Sequence, residues 1–319
     1  MADLTAATAK AKSTARIEWL LIGLGLAGLL AAPFFVYPIF LMKIMCFALF
    51  ACAFNLLIGY VGLLSFGHAL YFGWASYLAA HAAKVWGFNT EFAILTGTLT
   101  AAVCGLVAGS LAIRRQGIYF AMITLALAQM MYFFALQVHF TGGEDGIQAV
   151  PRGWLFGLID LREQISMYIF VLVIFLAGFL FIYRIIHSPF GEVLKAIREN
   201  ETRAISLGYK ADRYKLAAFV LSATLAGVAG STKAIVVQLA SLTDVNWPMS
   251  GEVVLMTLVG GLGTIFGPVV GAFAIIGMQS YIQVGQWALV IQGVIFVACV
   301  LLFRRGVVGE IANKLKIKL

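Results

Sequence analysis

The feature that most limits how this chain can fold is the length of its charge-free runs. No Asp, Glu, Lys or Arg occurs at 44–83, 92–113, 116–143, 164–183, 216–232 or 253–303. One helix needs about 20 apolar residues to cross the hydrocarbon of a bilayer, so several runs suffice for a crossing and the longest must fold back. A membrane barrel would instead show segments of about ten residues with alternating polarity. These runs are apolar on every side, and a helix satisfies its own backbone in lipid. With 62% hydrophobic and only 11% charged residues in 319, the chain departs from soluble usage. The fold class read from this is all-α, a polytopic transmembrane helical bundle.

The placement of the charges gives the orientation. Of 22 Lys and Arg residues, 17 fall in four groups, at 10–16, 114–115, 184–215 and 304–318. The other five, Lys43, Lys84, Arg152, Arg162 and Lys233, are assigned to the opposite side together with Glu91, Glu144, Asp145, Asp160, Glu163, Asp244 and Glu252. Basic residues collect on the cytoplasmic side, so both termini are expected there. The net charge of +8 is therefore a membrane-orientation signal and does not indicate nucleic acid.

Spans are drawn at roughly 17–36, 39–58, 66–82, 92–113, 117–138, 166–186, 214–235, 251–263, 268–283 and 286–303, about ten crossings. The tight hairpin at Pro33 to Pro38 and the short eighth segment leave the range at eight to ten. Trp19 to Leu30, after Lys10, Lys12 and Arg16, resembles a signal peptide, but a second apolar segment follows at once, so a retained first span is expected. This divides the chain into a cytoplasmic tail 1–16, one transmembrane domain 17–303 and a basic cytoplasmic tail 304–319. Cys46, Cys52, Cys104 and Cys299 lie within apolar runs without metal-ligand spacing and read as small hydrophobes.

Two connections exceed turns. The external segment 139–165 is polar and glycine-rich, yet carries Trp154, Leu155 and Phe156, which are placed to cap the bundle; it reads either as a surface for an external partner or as a solvated loop. In the cytoplasmic segment 188–213, Leu194, Ile197, Ala204 and Ile205 recur at helical spacing, with Glu192, Lys195, Arg198, Glu199 and Arg203 between them. That is a short amphipathic helix, started by Ser188 and Pro189 and stopped by Gly208. Glu192 with Lys195, and Glu199 with Arg203, are spaced to pair. The acids Glu192, Glu199, Glu201 and Asp212 suit a groove on a protein better than a headgroup layer. The chain holds no GxxxxGK[ST] stretch, so ATP-driven transport would need another subunit for hydrolysis.

"VGLLSFGHALYFG" at 61–73 interrupts the apolar pattern with glycines, Ser65 and His68, and "GLGTIFGPVVG" at 261–271 echoes it if Ile265 is an insertion. Pro268 suits a helix start, with Gly267 before it. Broken helices expose backbone groups that only protein or a water-filled path can satisfy. Gly62, Ser65, Gly67, His68, Gly263, Thr264, Gly267 and Pro268 are thus candidates for a translocation path, with close packing as the competing role. His68 either titrates in that path or is neutral and hydrogen-bonded to a neighbouring helix; Asn55 and Gln129 are lining or interhelical glue. No constellation of residues reads as catalytic or metal-binding, since only Glu252 among the carboxylates comes near a span.

Four stretches in sequence order, "NLLIGYVGLLSFGHALYFGWASYLAA" (55–80), "TGGEDGI" (141–147), "SPFGEVLKAIRENETRAISLGYKADRYKLAAFVLSATLAGVAG" (188–230) and "GGLGTIFGPVVGA" (260–272), resemble the permease subunits of bacterial branched-chain amino acid ABC importers of the LivM type. The resemblance runs from about residue 40 to the C-terminus. It implies the ABC importer permease fold and a multi-pass subunit of the bacterial inner membrane that pairs with a second permease. It also implies two cytoplasmic ATPases that use ATP and Mg, and a periplasmic binding protein that supplies substrate; no cofactor is expected in this chain. The coupling helix that docks in the ATPase would fall on Glu192 to Gly208, with Glu192, Lys195, Arg198, Glu199, Glu201, Arg203 and Gly208 as its contacts. "ENETRAISLG" departs from the Glu-Ala-Ala loop of other ABC permeases, so place and role carry over but individual contacts do not. Leucine, isoleucine and valine are the substrates implied; relatives take up urea, short amides, other amino acids or aromatic acids. A self-sufficient channel or secondary carrier and an intramembrane enzyme are the readings from other classes.

Overall fold

A computed structural model of the chain describes residue 23, residues 25–281, residues 290, 293, 294, 297 and 301, and residues 306–314. The expected tail 1–16, much of the expected spans 17–36 and 286–303, and Cys299 lie outside the described residues.

The helices follow the apolar runs. They are α1 (Gly25–Phe34), α2 (Pro38–Tyr60), α3 (His68–Lys84), α4 (Thr90–Ala112), α5 (Ile118–Gln137), α6 (Gln164–Ile186), α7 (Pro189–Glu199), α8 (Glu201–Ser206), α9 (Ala211–Val237), α10 (Leu242–Val245), α11 (Trp247–Gly260), α12 (Gly267–Tyr281) and α13 (Gly306–Lys314). Among the described residues five of these, α2, α4, α5, α6 and α9, are long and apolar enough to cross a membrane. That is fewer than the segments drawn from sequence: the drawn spans 17–36 and 286–303 lie partly outside the described residues, and others correspond to short helices. Helix α3 has 17 residues and α11 has 14, and 14 residues rise only about 21 Å. Helix α3 starts inside the bundle at the buried His68, whereas α11 starts at the exposed Trp247 and ends inside it at the buried Gly260.

Helix α2 is apolar all round and is buried on all sides at the centre, with α9 and α3 against it. Small residues set the spacing. A Cβ on Gly230 of α9 would strike the Phe72 carbonyl of α3, and one on Gly97 of α4 would strike the Ala75 carbonyl. Without a hydrophobic drive between helices in lipid, such close backbone approach maximises packing contacts. Helices α4 and α5 lie outside and expose Leu95, Leu99, Val103, Met122, Met130 and Phe133, as a lipid-facing surface would.

The loops gather into two ends. At one, β1 (Ile147–Gln148) pairs with β4 (Leu239–Ala240), and β2 (Trp154–Leu155) with β3 (Ile159–Asp160), both antiparallel. Lys84 Nζ donates to the Gln148 carbonyl at 2.8 Å, and Glu91 accepts from the Phe156 amide at 3.2 Å. At the other end, Gln116 Nε2 donates to Glu201 at 2.9 Å, and Lys215 pairs with Glu201 at 2.6 Å. These contacts join segments that the charge pattern put on the same side. Of the three residues expected to cap the bundle, Leu155 packs on the core, whereas Trp154 and Phe156 are exposed.

Candidate functional site

The first break starts where Gly62, at φ 81°, turns the chain away from the end of α2. Residues 61–67 then run back alongside the bundle, and α3 begins at His68, deep between helices. The backbone donors exposed by this interruption are satisfied by side chains. Thr124 Oγ1 of α5 accepts from Phe66 N (3.2 Å), Ser65 Oγ from Gly67 N (3.2 Å), and Ser250 Oγ of α11 from Ala69 N (2.9 Å). Gly67 lies directly on the Thr124 carbonyl.

His68 is fully buried at the head of α3. Its Nε2 lies 2.9 Å from Ser222 Oγ of α9, and that hydroxyl gives its one proton to the Ala53 carbonyl of α2. A hydroxyl has a single donor, so His68 Nε2 must carry a proton and donate. The ring is also packed edge-on against Phe54, Tyr71 and Phe219. Ser65 and His68 are both fully enclosed, and Gln129 on α5 is half-buried. In this conformation the first break is a packed junction of α2, α3, α5, α9 and α11.

The second break, 261–266, lies between α11 and α12. Gly261 and Gly263 have φ of 127° and 74°. Thr264 Oγ1 donates to the Gly261 carbonyl (2.8 Å) and accepts from Gly267 N (3.1 Å), which caps α12. Pro268 follows within the first turn, as the sequence anticipated. Asn55 of α2 spans this break: its Nδ2 donates to the Thr264 carbonyl at 2.9 Å and its Oδ1 accepts from Gly263 N at 3.0 Å. Helices α11 and α12 then pack with almost no side chain between them, Gly271 against the Met256 carbonyl and Gly260 against Gly267.

The segment 188–213 differs from the single helix expected. Asn200, at φ −157° and ψ 97°, separates α7 from α8 and caps α8 by accepting from Arg203 N (2.9 Å). Glu199 and Arg203 consequently lie on different helices and form no ion pair, while Glu192 and Lys195 pair at 2.8 Å. Ser188 caps α7 and Gly208, at φ 90°, ends α8, where the sequence placed them. Leu194, Ile197 and Ala204 are buried against the protein itself. Ile205, read as part of the same stripe, is exposed with Leu207 and Tyr209.

Arg198 joins the three parts. Its Nη1 donates to the Gly59 carbonyl at the end of α2, its aliphatic stem lies over Gly62, and its guanidinium borders Gly263. It thus connects α7 with the start of the first break and the middle of the second. Glu201, grouped with the docking residues from sequence, anchors α8 to Lys215 of α9, whose side chain is 5% exposed.

Sequence reasoning missed several participants. Thr124, Ser222 and Ser250 lie far apart in the chain, and hydroxyls in apolar helices are too common to single out. Lys233, inside the span drawn at 214–235, is in α9 and pairs with Asp244 of α10 at 2.6 Å, with side chains 7% and 3% exposed, a pairing that the sequence reading did not include. Ser241 and Asp244 form a capping box on α10. The S-x-x-D spacing at 241–244 was the signal available for this second short helix.

Comparison with known proteins gives a consistent answer. A family model described as branched-chain amino acid transport system / permease component matches residues 36–301. The high-affinity branched-chain amino acid transport system permease protein LivM of Escherichia coli is 25% identical over 288 residues, covering 83% of this chain and 68% of that protein. The probable branched-chain amino acid transport permease protein LivH of Methanocaldococcus jannaschii is 27% identical over 177 residues, covering 50% and 53% respectively. No solved structure gives a significant match.

Proposed function

We propose, from the premise that the chain belongs to the branched-chain amino acid transport permease family, that it is one transmembrane subunit of an ABC importer for leucine, isoleucine and valine in the cytoplasmic membrane. A related second permease completes the translocation path. Two ATPase subunits bind ATP and Mg and supply the work, and an external binding protein delivers substrate. Similarity to both LivM and LivH proteins supports a paired permease.

The observation that carries the mechanism is Arg198. Helices α7 and α8 present the apolar residues Ile205, Leu207 and Tyr209 outward, beside an open cleft of about 400 Å³ lined by Ile205, Tyr209, Lys210, Ala211, Asp212 and Arg213. This tip is the ATPase docking surface. When the ATPases close on ATP, displacement of α7 and α8 acts through Arg198 on the α2 terminus and on both breaks, and access to the path changes sides. At the opposite end, exposed Trp154, Phe156 and Leu158 form the docking surface for the binding protein.

The test uses the importer reconstituted in proteoliposomes with its partners. Leu207→Asp is expected to reduce recovery of the ATPases with the permeases. Arg198→Ala is expected to leave that recovery intact and to lower leucine uptake per ATP about tenfold, the equivalent of one charge-assisted hydrogen bond. An unchanged uptake-to-ATP ratio in Arg198→Ala removes the coupling role. Leucine flux through this chain alone without ATP would replace the importer with a channel or carrier.

A further inference from the structure

The outward stripe of α6 is apolar along the crossing and basic at its end. Ile165, Ile169, Val173, Ala177 and Leu180 are exposed and recur at steps of three or four residues, and the same steps continue to Arg184 and His187, also exposed. Residues so spaced lie on one side of a helix. Here α6 turns directly into α7, and the corner holds an open cleft of about 470 Å³ lined by Leu180, Tyr183, Arg184, His187, Ser188 and Pro189. No carboxylate is among these lining residues.

The last carbonyls of α6 already have donors. That of Ile185 accepts from Ser188 N (3.1 Å) and Ser188 Oγ (2.6 Å), and that of Tyr183 from His187 N at 3.2 Å. Arg184 is therefore not needed as their cap. It also belongs to none of the ion pairs among the described residues, Lys195–Glu192, Lys215–Glu201 and Lys233–Asp244. His187 Nδ1 lies 2.9 Å from the Tyr183 carbonyl, with the two rings 4.2 Å apart between centroids. A carbonyl only accepts, so Nδ1 carries the proton and, in the neutral ring, Nε2 is an acceptor. Ser188 and Pro189 are the N-cap and first residue of α7, so the positive end of that helix borders the cleft. The corner thus offers a guanidinium and a helix start to an anion, and one ring nitrogen to a hydroxyl.

We propose that this cleft binds the headgroup of an anionic phospholipid of the phosphatidylglycerol kind. The basic residues clustered at 184–215 mark this end as the cytoplasmic side, where basic pockets at helix ends suit such headgroups. Arg184 and the start of α7 hold the phosphate. A headgroup hydroxyl donates to His187 Nε2, and an acyl chain lies along Leu180, Ala177 and Val173. The stripe selects lipid over free phosphate: an ion would use only the polar end, whereas a lipid also covers the apolar surface continuous with it. The bound lipid braces the corner from which α7 carries Arg198 to the end of α2.

Lipid binding by the delipidated full chain in detergent, read by native mass spectrometry, tests this without reference to transport. Dioleoyl phosphatidylglycerol is expected to bind about tenfold more strongly than dioleoyl phosphatidylcholine. Arg184→Gln should lower phosphatidylglycerol binding about tenfold, as loss of one charge-assisted contact would, and Arg184→Lys should keep most of it. Arg114→Gln, at a basic residue outside the cleft, should leave it unchanged. His187→Phe should weaken phosphatidylglycerol about fivefold and spare phosphatidic acid, which lacks the headgroup glycerol. Equal losses in Arg184→Gln and Arg114→Gln would mean general attraction to a basic surface and overturn the site. Equal losses of both lipids in His187→Phe overturn the hydroxyl contact. Displacement of the lipid by millimolar inorganic phosphate assigns the cleft to a free anion, and displacement by added ATPase subunits assigns it to their interface; either result overturns the proposal.

Discussion

The two glycine-rich breaks have similar sequences and different surroundings. Residues 61–67 are held at their α3 end by hydroxyls from three places, Ser65, Thr124 and Ser250, and Gly67 sits on the Thr124 backbone. Residues 261–266 depend on Thr264 of their own loop and on the single amide of Asn55. Arg198 reaches the glycine at the start of the first and the glycine in the middle of the second. A segment with many fixed partners resists displacement, and one with few can be moved by a modest force. The side-chain hydrogen bonds number three at the first break and four at the second. Those from outside the loop, however, come from two helices, α5 and α11, at the first and from α2 alone at the second, which makes the second the segment to test as the moving part.

The largest expected effect tests the first break. Gly67→Val drives a side chain into the Thr124 carbonyl and should destabilise the protein by about 3 kcal/mol, as overpacking does. Gly263→Ala has room for its methyl but must hold φ near 74°, which costs about 1–2 kcal/mol. Thermal unfolding in detergent reads both, and equal losses would abolish the distinction. Next comes the clamp. Asn55→Leu leaves the Gly263 amide and Thr264 carbonyl without their partner, a loss of about 2 kcal/mol. If the second break is the moving part, this variant should also uncouple ATP hydrolysis from uptake, whereas a purely structural clamp would lower only the unfolding temperature. The smallest effect lies on the solvent side of α7. Lys195→Gln removes a pair whose side chains are 38% and 68% exposed, worth a few tenths of a kcal/mol. A larger loss on the same unfolding assay would mean that α7 is held by its outer face and not by Arg198.

Much of this was legible because it is local. The charge-free runs located the crossings, Ser188, Pro189 and Gly208 marked the ends of the cytoplasmic segment, and Gly62, Gly263 and Pro268 marked the interruptions. The division at Asn200 was not read, because the apolar spacing of Leu194, Ile197 and Ala204 continues through it while the backbone does not. The pairing of Lys233 with Asp244 was not read either, because they sit on separate helices and their spacing of 11 residues does not mark them as neighbours. Arg198 and Arg203 were indistinguishable in sequence, yet the first turns towards α2 and the second lies exposed on α8.

By itself the sequence determined that the chain is helical, which loops gather at the same end of the bundle, and where the helices are interrupted. Those outcomes follow from the transfer of residues between water and lipid and from the backbone limits of glycine and proline, which act over a few residues at a time. Only the tertiary structure decided that Asn55 clamps the second break, that Arg198 binds the end of α2, and that Lys233 meets Asp244. These partners come from different helices, up to 209 residues apart for Asn55 and Thr264. A buried polar group takes whichever partner the packing of its helix brings within about 3 Å, and that choice is made by the bundle as a whole.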